Sequence, residues 1–181
     1  GTGNATRTVT ISGMTGDGTL GISIATGTAS DSAGNLAAAV GPSSTFTVDN
    51  TAPTAAIGSP SATVAKAGPV TYTVTYTGAD AVTLADANVT LNKTGTANGT
   101  VAVSGTGNAT RTVTISGITG DGTLGISIAP GTASDTAGNL AAAVGPSSTF
   151  TVDNTAPITT ASPVGGVYGS AQNVILSVKE P

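Results

Sequence analysis

Residues 105–157 read GTGNATRTVTISGITGDGTLGISIAPGTASDTAGNLAAAVGPSSTFTVDNTAP, and residues 1–53 carry nearly the same sequence 104 positions earlier. The two copies differ only at the pairs Met14/Ile118, Thr26/Pro130 and Ser32/Thr136. A repeat spacing of about 100 residues is the length of a whole domain, which predicts a tandem array. We expect a first segment (residues 1–53) that is the C-terminal half of a domain, a second segment (residues 54–157) that is a complete domain, and a third segment (residues 158–181) that opens a further domain.

The composition is typical of a folded, β-rich chain. Only 8% of the residues are charged and 3% are aromatic, while 38% are hydrophobic and the formal net charge is −4. Disordered chains combine low hydrophobicity with high net charge, which is the opposite pattern.

Several function classes are excluded or disfavoured by the residue types. The chain contains neither Cys nor His, so disulfides, thiolate zinc sites and Ser-His-Asp catalysis are excluded. Five basic residues are too few to form a surface for a nucleic-acid backbone. The longest apolar runs, such as residues 36–40, are far shorter than the roughly 20 residues that span a bilayer. We therefore expect no enzyme, no nucleic-acid partner and no membrane insertion.

Alternation of apolar residues with Thr or Ser predicts short β-strands throughout. In the first segment these are residues 6–12, 19–24 and 45–48, and the same strands recur in the second segment. The second segment adds strands at residues 70–76, 82–84, 89–91 and 101–103. About seven strands in a 104-residue repeat predict an all-β, Ig-like Greek-key β-sandwich, without the Cys pair and Trp of antibody domains.

Two motifs resemble a known family. DTAGN at residues 135–139 and FTVDNTAP at residues 150–157 resemble the bacterial Ig-like (Big) repeats that occur in tandem in large surface proteins and adhesins. This resemblance implies an extracellular or cell-surface location. The third segment, with ITTASPVGGVY at residues 158–168 and NVILSV at residues 173–178, is similar to the start of a chitobiase C-terminal-type or Fn3-like domain.

Acidic and amide side chains of the repeat fall in predicted loops that meet at one end of the sandwich. Calcium takes six to eight oxygen ligands, which loops supply well, and the resemblance to adhesin repeats implies ion-stiffened junctions. The candidate calcium ligands are Asp49, Asn50, Asp80, Asp86, Asp135 and Asn139. The alternative is that Asp and Asn here are turn formers that bond nearby backbone N–H groups. At the opposite end, Asp121 is predicted to lie near Asp153.

Rows of Thr on strand residues 71–75 and 110–114 are predicted to face outward. A flat Thr lattice can order water or bind ice, but Thr is also favoured on any exposed strand.

These observations predict a structural spacer or stalk whose partners are neighbouring repeats of the same chain. One alternative is self-association into a filament or sheath, since few charges block pairing at the strand edges. Another is an adhesion module that binds a glycan or a protein. Loops poor in Tyr, Trp and Arg disfavour a high-affinity contact surface.

Overall fold

The computed structural model describes residues 5–179, so the ends of the first and third segments, residues 1–4 and 180–181, lie outside it. This part of the chain is all-β, with a single turn of 3-10 helix at Asp86–Asn88. The strands of the first segment are β1 (Gly18–Leu20) and β2 (Phe46–Val48), and those of the third are β13 (Ile158–Ser162) and β14 (Ile175–Lys179). The second segment contains β3 (Thr54–Ile57), β4 (Val64–Ala65), β5 (Val70–Thr77), β6 (Ala81–Val82), β7 (Val89–Lys93), β8 (Asn98–Ser104), β9 (Thr110–Thr119), β10 (Gly122–Ile128), β11 (Ala133–Ser134) and β12 (Phe150–Val152).

The second segment has two four-stranded sheets, ordered β3-β5-β9-β8 and β4-β12-β10-β7. Neighbouring strands are antiparallel except for β4 and β12, which are parallel, and the short strands β6 and β11 pair with each other. Apolar side chains from both sheets form one core: Val70, Tyr72, Val74, Tyr76, Val113, Ile115, Ile118, Leu124, Ile126, Ile128, Phe150 and Val152. Two sheets that share one core make a β-sandwich-like layer structure.

Strand β5 confirms the predicted alternation. Its Val and Tyr side chains are buried, and its Thr side chains face the other side of the sheet. Strands β5 and β9 are paired so that Thr71, Thr73 and Thr75 lie opposite Thr114, Thr112 and Thr110. Such Thr pairs stabilise a sheet on its wetter face, because the branched side chains pack across the strands.

Three strand predictions in the second segment need small corrections. The strand predicted at residues 82–84 forms at Ala81–Val82, because its partner β11 is only two residues long. The strands predicted at residues 89–91 and 101–103 extend to Lys93 and across Asn98–Ser104. The alternation predicts none of the strands β3, β4 and β11.

The strand predicted at residues 6–12 is wrong. These residues form no strand and are exposed, although the equivalent residues of the second segment lie in the ten-residue strand β9. Strand β9 is paired with β5 on one side and β8 on the other. Among residues 5–179 no strand flanks residues 6–12 in this way, so this β-favouring sequence pairs with no neighbour there. For the same reason, the predicted strand at residues 19–24 shortens to β1, with only an isolated bridge between Ile24 and Val40.

The third segment forms an antiparallel pair of strands, in which Ile158 lies opposite Lys179 and Ser162 opposite Ile175. All residues of both strands are exposed. This segment therefore contains β-strands, and its assignment to a further sandwich domain stays a prediction. Within residues 5–179, no helix is long and apolar enough to cross a membrane.

The two copies of the repeat allow a matched test of how much the burial of one isoleucine contributes to the free energy of unfolding. Ile11 and Ile115 have the same local sequence, but Ile115 is fully buried whereas Ile11 is 36% exposed. We expect Ile115→Ala to lower the free energy of unfolding of the second segment by about 2–5 kcal/mol. We expect Ile11→Ala to change it by less than about 0.5 kcal/mol. Urea unfolding followed by tyrosine fluorescence measures both, and equal losses would contradict the structure.

Candidate functional site at the junctions between segments

A tight turn between β9 and β10 presents one carboxylate to the chain that leaves β12. Its glycines have left-handed φ angles, 73° at Gly120 and 141° at Gly122. A Cβ atom at either position would overlap the backbone carbonyl of Thr96 or Thr94. The N–H of Asp121 donates to the Thr96 hydroxyl at 2.9 Å, and the N–H of Thr96 donates to the Asp121 carbonyl at 2.9 Å. The turn is therefore fixed between the sheets of the second segment.

The Asp121 carboxylate binds the linker that follows β12. Its Oδ1 accepts the N–H of Asn154 at 2.6 Å, and its Oδ2 accepts the Thr155 hydroxyl at 3.0 Å. The Asn154 amide donates to the Gly120 carbonyl at 2.6 Å, and the N–H of Thr155 donates to the Asp153 carboxylate at 3.0 Å. We call this set of four hydrogen bonds the linker clamp.

The linker clamp occurs a second time, at the end of the first segment. Asp17 accepts the N–H of Asn50 at 2.6 Å and the Thr51 hydroxyl at 2.7 Å. The Asn50 amide donates to Gly16 at 2.6 Å, and the Asp49 carboxylate accepts the N–H of Thr51 at 3.0 Å. An added Cβ at Gly16 would meet nothing within 4 Å, so this clamp lacks the packing that supports its copy. The pairing of β1 with β2, in which Gly18 lies opposite Val48, places Asp17 beside Asn50 and Thr51.

Hydrogen bonds to the linker lower the pKa of the Asp17 carboxyl. The N–H of Asn50 has the largest effect and the Thr51 hydroxyl the next, and both favour the charged form over partial desolvation, which acts in the opposite direction. Because the pKa in the clamp is below its usual value of 3.8, the clamp is complete above that pH. The clamp begins to weaken below pH 3.8, and its contribution is lost as the pH falls through the lowered pKa of Asp17.

The second segment holds the same linker from the other side. The Asn139 side-chain amide donates both to the Asp49 carbonyl at 3.0 Å and to the Asp135 carboxylate at 2.8 Å. The N–H of Asn139 also donates to Asp135, at 2.9 Å. These bonds, the side-chain one first, lower the pKa of Asp135. Residues 49–51 are thus bound by Asp17 of the first segment and by Asn139 of the second.

Asp80 lies beside this loop, as the sequence predicts. Its carboxylate accepts the N–H of Thr136 at 2.8 Å, and its own N–H donates to Ser134 at 2.9 Å. The Asn108 side chain donates to the Asp80 carbonyl. Asp80 therefore joins the loop that carries Asp135 to the loop that precedes β6.

The other two candidate ligands have different partners. Asn50 contacts the first segment through the linker clamp. The Asp86 carboxylate accepts the N–H of Val103 in β8 at 2.6 Å. Hydrogen bonds therefore connect four of the six candidates, Asp49, Asp80, Asp135 and Asn139, into one set of loops.

The hydrogen bonds favour the turn-forming alternative for Asp135 and Asn139. In the first segment, Asp31 accepts the N–H and the side-chain amide of Asn35 at 2.9 and 2.8 Å, which reproduces the bonds of Asp135. This turn is therefore self-contained wherever the motif occurs. Among the described residues no group of three or more acidic, His or Cys side chains is placed to hold a metal ion. Calcium binding stays a prediction.

Sequence reasoning missed Arg111, which is buried at the start of β9. Its guanidinium donates to the carbonyls of Gly107 at 2.7 Å, Thr110 at 2.9 Å and Val82 at 2.9 Å. It thereby joins the turn before β9 to strand β6, next to Asp80. Only its position in the alternation of the strand, in line with Val113 and Ile115, signals that it points inward.

Asp121 lies near Asp153, as predicted. Its carboxylate accepts hydrogen bonds from Asn154 and Thr155, the two residues that follow Asp153. The sequence signal for the clamp is the constant spacing of Asp17 from Asn50 and of Asp121 from Asn154, which is 33 residues in both copies.

Comparisons with protein-family models, curated proteins and solved structures found no match to this chain.

Acid should weaken the linker clamp formed by Asp17. We expect the steady-state ¹⁵N heteronuclear NOE of the Asn50 and Thr51 amides to be high at pH 7. It should fall as the pH drops below 3.8, because protonated Asp17 loses its acceptor strength. An unchanged NOE down to pH 2 would show that the carboxylate does not hold the linker.

Two variants localise the effect. Asp17→Asn should lower the NOE of Asn50 and Thr51 at pH 7 and remove its pH dependence there. Asp121→Asn should lower the NOE at pH 7 only at Asn154 and Thr155, so each junction serves as the control for the other.

Proposed function

We propose that the chain is part of a tandem array of Ig-like Greek-key sandwiches that acts as a spacer or stalk in an extracellular or cell-surface protein. The observation that carries this proposal is the recurrence of the linker clamp, with the same donors and acceptors, at both junctions. In an array of identical units, each clamped linker would also meet Asn139 of the next unit, as residues 49–51 do here, and every repeat would add the same displacement. The length of such an array is set by its copy number.

The strand order supports the Ig-like part of the proposal. In an immunoglobulin-type sandwich, one sheet contains the first, second, fifth and fourth strands, and the other contains the third, sixth and seventh. We take β3 and β4 as a first strand divided between the sheets and leave out the two-residue strands β6 and β11. The orders β3-β5-β9-β8 and β4-β12-β10-β7 then correspond to this arrangement.

The contacts of the linker support the mechanical part. A linker bound on one side only would let the following segment swing freely. Here residues 49–51 are bound by the Asp17 carboxylate on one side and by the Asn139 amide on the other. Both Asp17 and Asn139 belong to motifs that repeat with the unit, so every internal junction of a longer array would have both contacts.

The two repeat copies are nearly identical, which also fits a spacer. A spacer needs little individuality in each unit, whereas a binding module for a glycan or a protein places distinct anchors in its loops. The loops at the junction are rich in Gly, Ala and Thr, and the acidic side chains of Asp80 and Asp135 bond backbone N–H groups of these loops. We therefore rank adhesion by these loops below the spacer.

Small-angle scattering on proteins with two, three and four tandem copies of residues 54–157 tests the spacer proposal. We expect the maximum dimension to grow by a constant increment per copy, because each junction is held. Asp121→Asn in every copy should reduce this increment. Growth close to the square root of the copy number, as in a flexible chain, would contradict the proposal.

The same samples test calcium. If calcium lengthens the particle and raises its melting temperature, and EDTA reverses both changes, an ion contributes to the junction. If the hydrogen bonds are sufficient, the scattering and melting curves will be the same in calcium and in EDTA.

A further inference from the structure

Strand β8 is the longest of the four strands that lie at a sheet edge in the second segment. Its sequence, NGTVAVS, has no charged residue and no proline, and within residues 5–179 only β9 is paired with it. The register is irregular between Asn98 and Thr100 and regular over residues 100–104. A regular, uncharged edge with β-branched residues is a template on which another strand can add.

The outer side of this edge is defined by Val103. Val103 lies opposite Val113 of β9, but its N–H donates to the Asp86 carboxylate at 2.6 Å, outside the ladder. In an antiparallel ladder the backbone groups of alternate residues point to the neighbouring strand and to the free edge. Val101, two residues earlier, therefore directs its N–H and carbonyl to the same free edge as Val103.

The turn of 3-10 helix at Asp86–Asn88 fixes the position of the Asp86 carboxylate. The Asn88 side-chain oxygen accepts the N–H of Ala85 at 3.0 Å, and the N–H of Asn88 donates to the Ala85 carbonyl at 2.9 Å. The Asn88 carbonyl accepts the N–H of Ala129, which follows β10, at 2.9 Å. The turn is therefore bonded both to itself and to the end of a strand in the other sheet, and it places a carboxylate on an edge that has no charge of its own.

The other edge strands are protected in different ways. Strand β4 has only two residues, and β3 has four and lies between Pro53 and Pro60. Strand β7 ends in Lys93. Short length, proline and charge are the usual features that keep an edge from pairing. Strand β8 has none of them over residues 100–104, so its protection depends on a side chain from outside the strand.

We propose that Asp86 prevents β8 from pairing with β8 of a second copy of this chain. Two copies present the same edge and are therefore able to pair antiparallel about a two-fold axis, with Val101 and Val103 of each bonding the other. The Asp86 carboxylate already accepts the N–H of Val103. A strand added there would have to displace this carboxylate or bury it unpaired, and both cost free energy. The inference does not depend on the spacer proposal.

Sedimentation equilibrium of the full chain over a range of concentrations is the test. Asp86→Ala removes both the charge and the acceptor, and we expect it to strengthen self-association by about ten-fold or more relative to the unchanged chain. Asp31→Ala is the matched control. It removes an equal charge and an acceptor of backbone N–H groups, but in an exposed turn of the first segment. Its self-association should be the same as that of the unchanged chain.

A second pair of variants separates edge pairing from a loss of folding. In the Asp86→Ala chain, Ala102→Lys adds a charge at an exposed position of β8 and should return self-association to the level of the unchanged chain. Thr73→Lys adds the same charge at an exposed position of β5, an interior strand of the same sheet, and should not reverse the gain. Association through unfolded chains would not distinguish these two lysines.

Equal self-association of the Asp86→Ala and unchanged chains would overturn the proposal, because the edge would then stay unpaired without its carboxylate. Equal gains in the Asp86→Ala and Asp31→Ala chains would also overturn it, since the effect would then follow net charge. If Ala102→Lys fails to reverse the gain, or if Thr73→Lys reverses it equally well, the association does not involve β8 and the proposal is wrong.

Discussion

The structure depends on the pairing of β9 with β5 and β8. These contacts bury Val113 and Ile115 completely and join strands that are distant in sequence. Burial of apolar side chains is the dominant favourable term in folding, and a strand without neighbours gains little of it. The core, the second sheet and the support of the Asp121 turn all follow from this pairing.

The repeated sequence separates local structure from structure that needs tertiary contacts. The DSAGN and DTAGN turns have the same internal hydrogen bonds in both copies, and so do both linker clamps. The bonds within each turn span a few residues and need no core. The partners in each linker clamp are 33 or 34 residues apart, and they meet because β1 and β2 pair in the same register as β10 and β12. Residues 6–12 and 110–116 have the same sequence but different conformations, because only the second stretch has neighbouring strands.

This distinction explains what could be predicted from the sequence. Alternation identified β5, β7, β8 and β9 because the apolar side chains on one face of each strand are buried or half-buried. It failed at residues 6–12, which no strand of the described residues flanks. Strand β3 escaped prediction because its Ala residues give a weak apolar signal.

The junction was only partly predictable for a related reason. Turn-forming residues can be placed at one end of a sandwich by topology, which located Asp49, Asp80, Asp135 and Asn139 near one another. Which atoms bond depends on backbone positions that the pattern does not specify. Asn50 therefore bonds to the first segment, and Asp86 to Val103.

Residue-by-residue amide hydrogen exchange of the intact chain tests the central claim, that the same sequence forms a strand only where neighbouring strands bury it. The amides of residues 110–116 should be protected by orders of magnitude, and those of residues 6–12 should exchange close to the rate of an unstructured peptide. Comparable protection in the two stretches would contradict the account, since the strand would then form without the neighbours that we hold responsible for it.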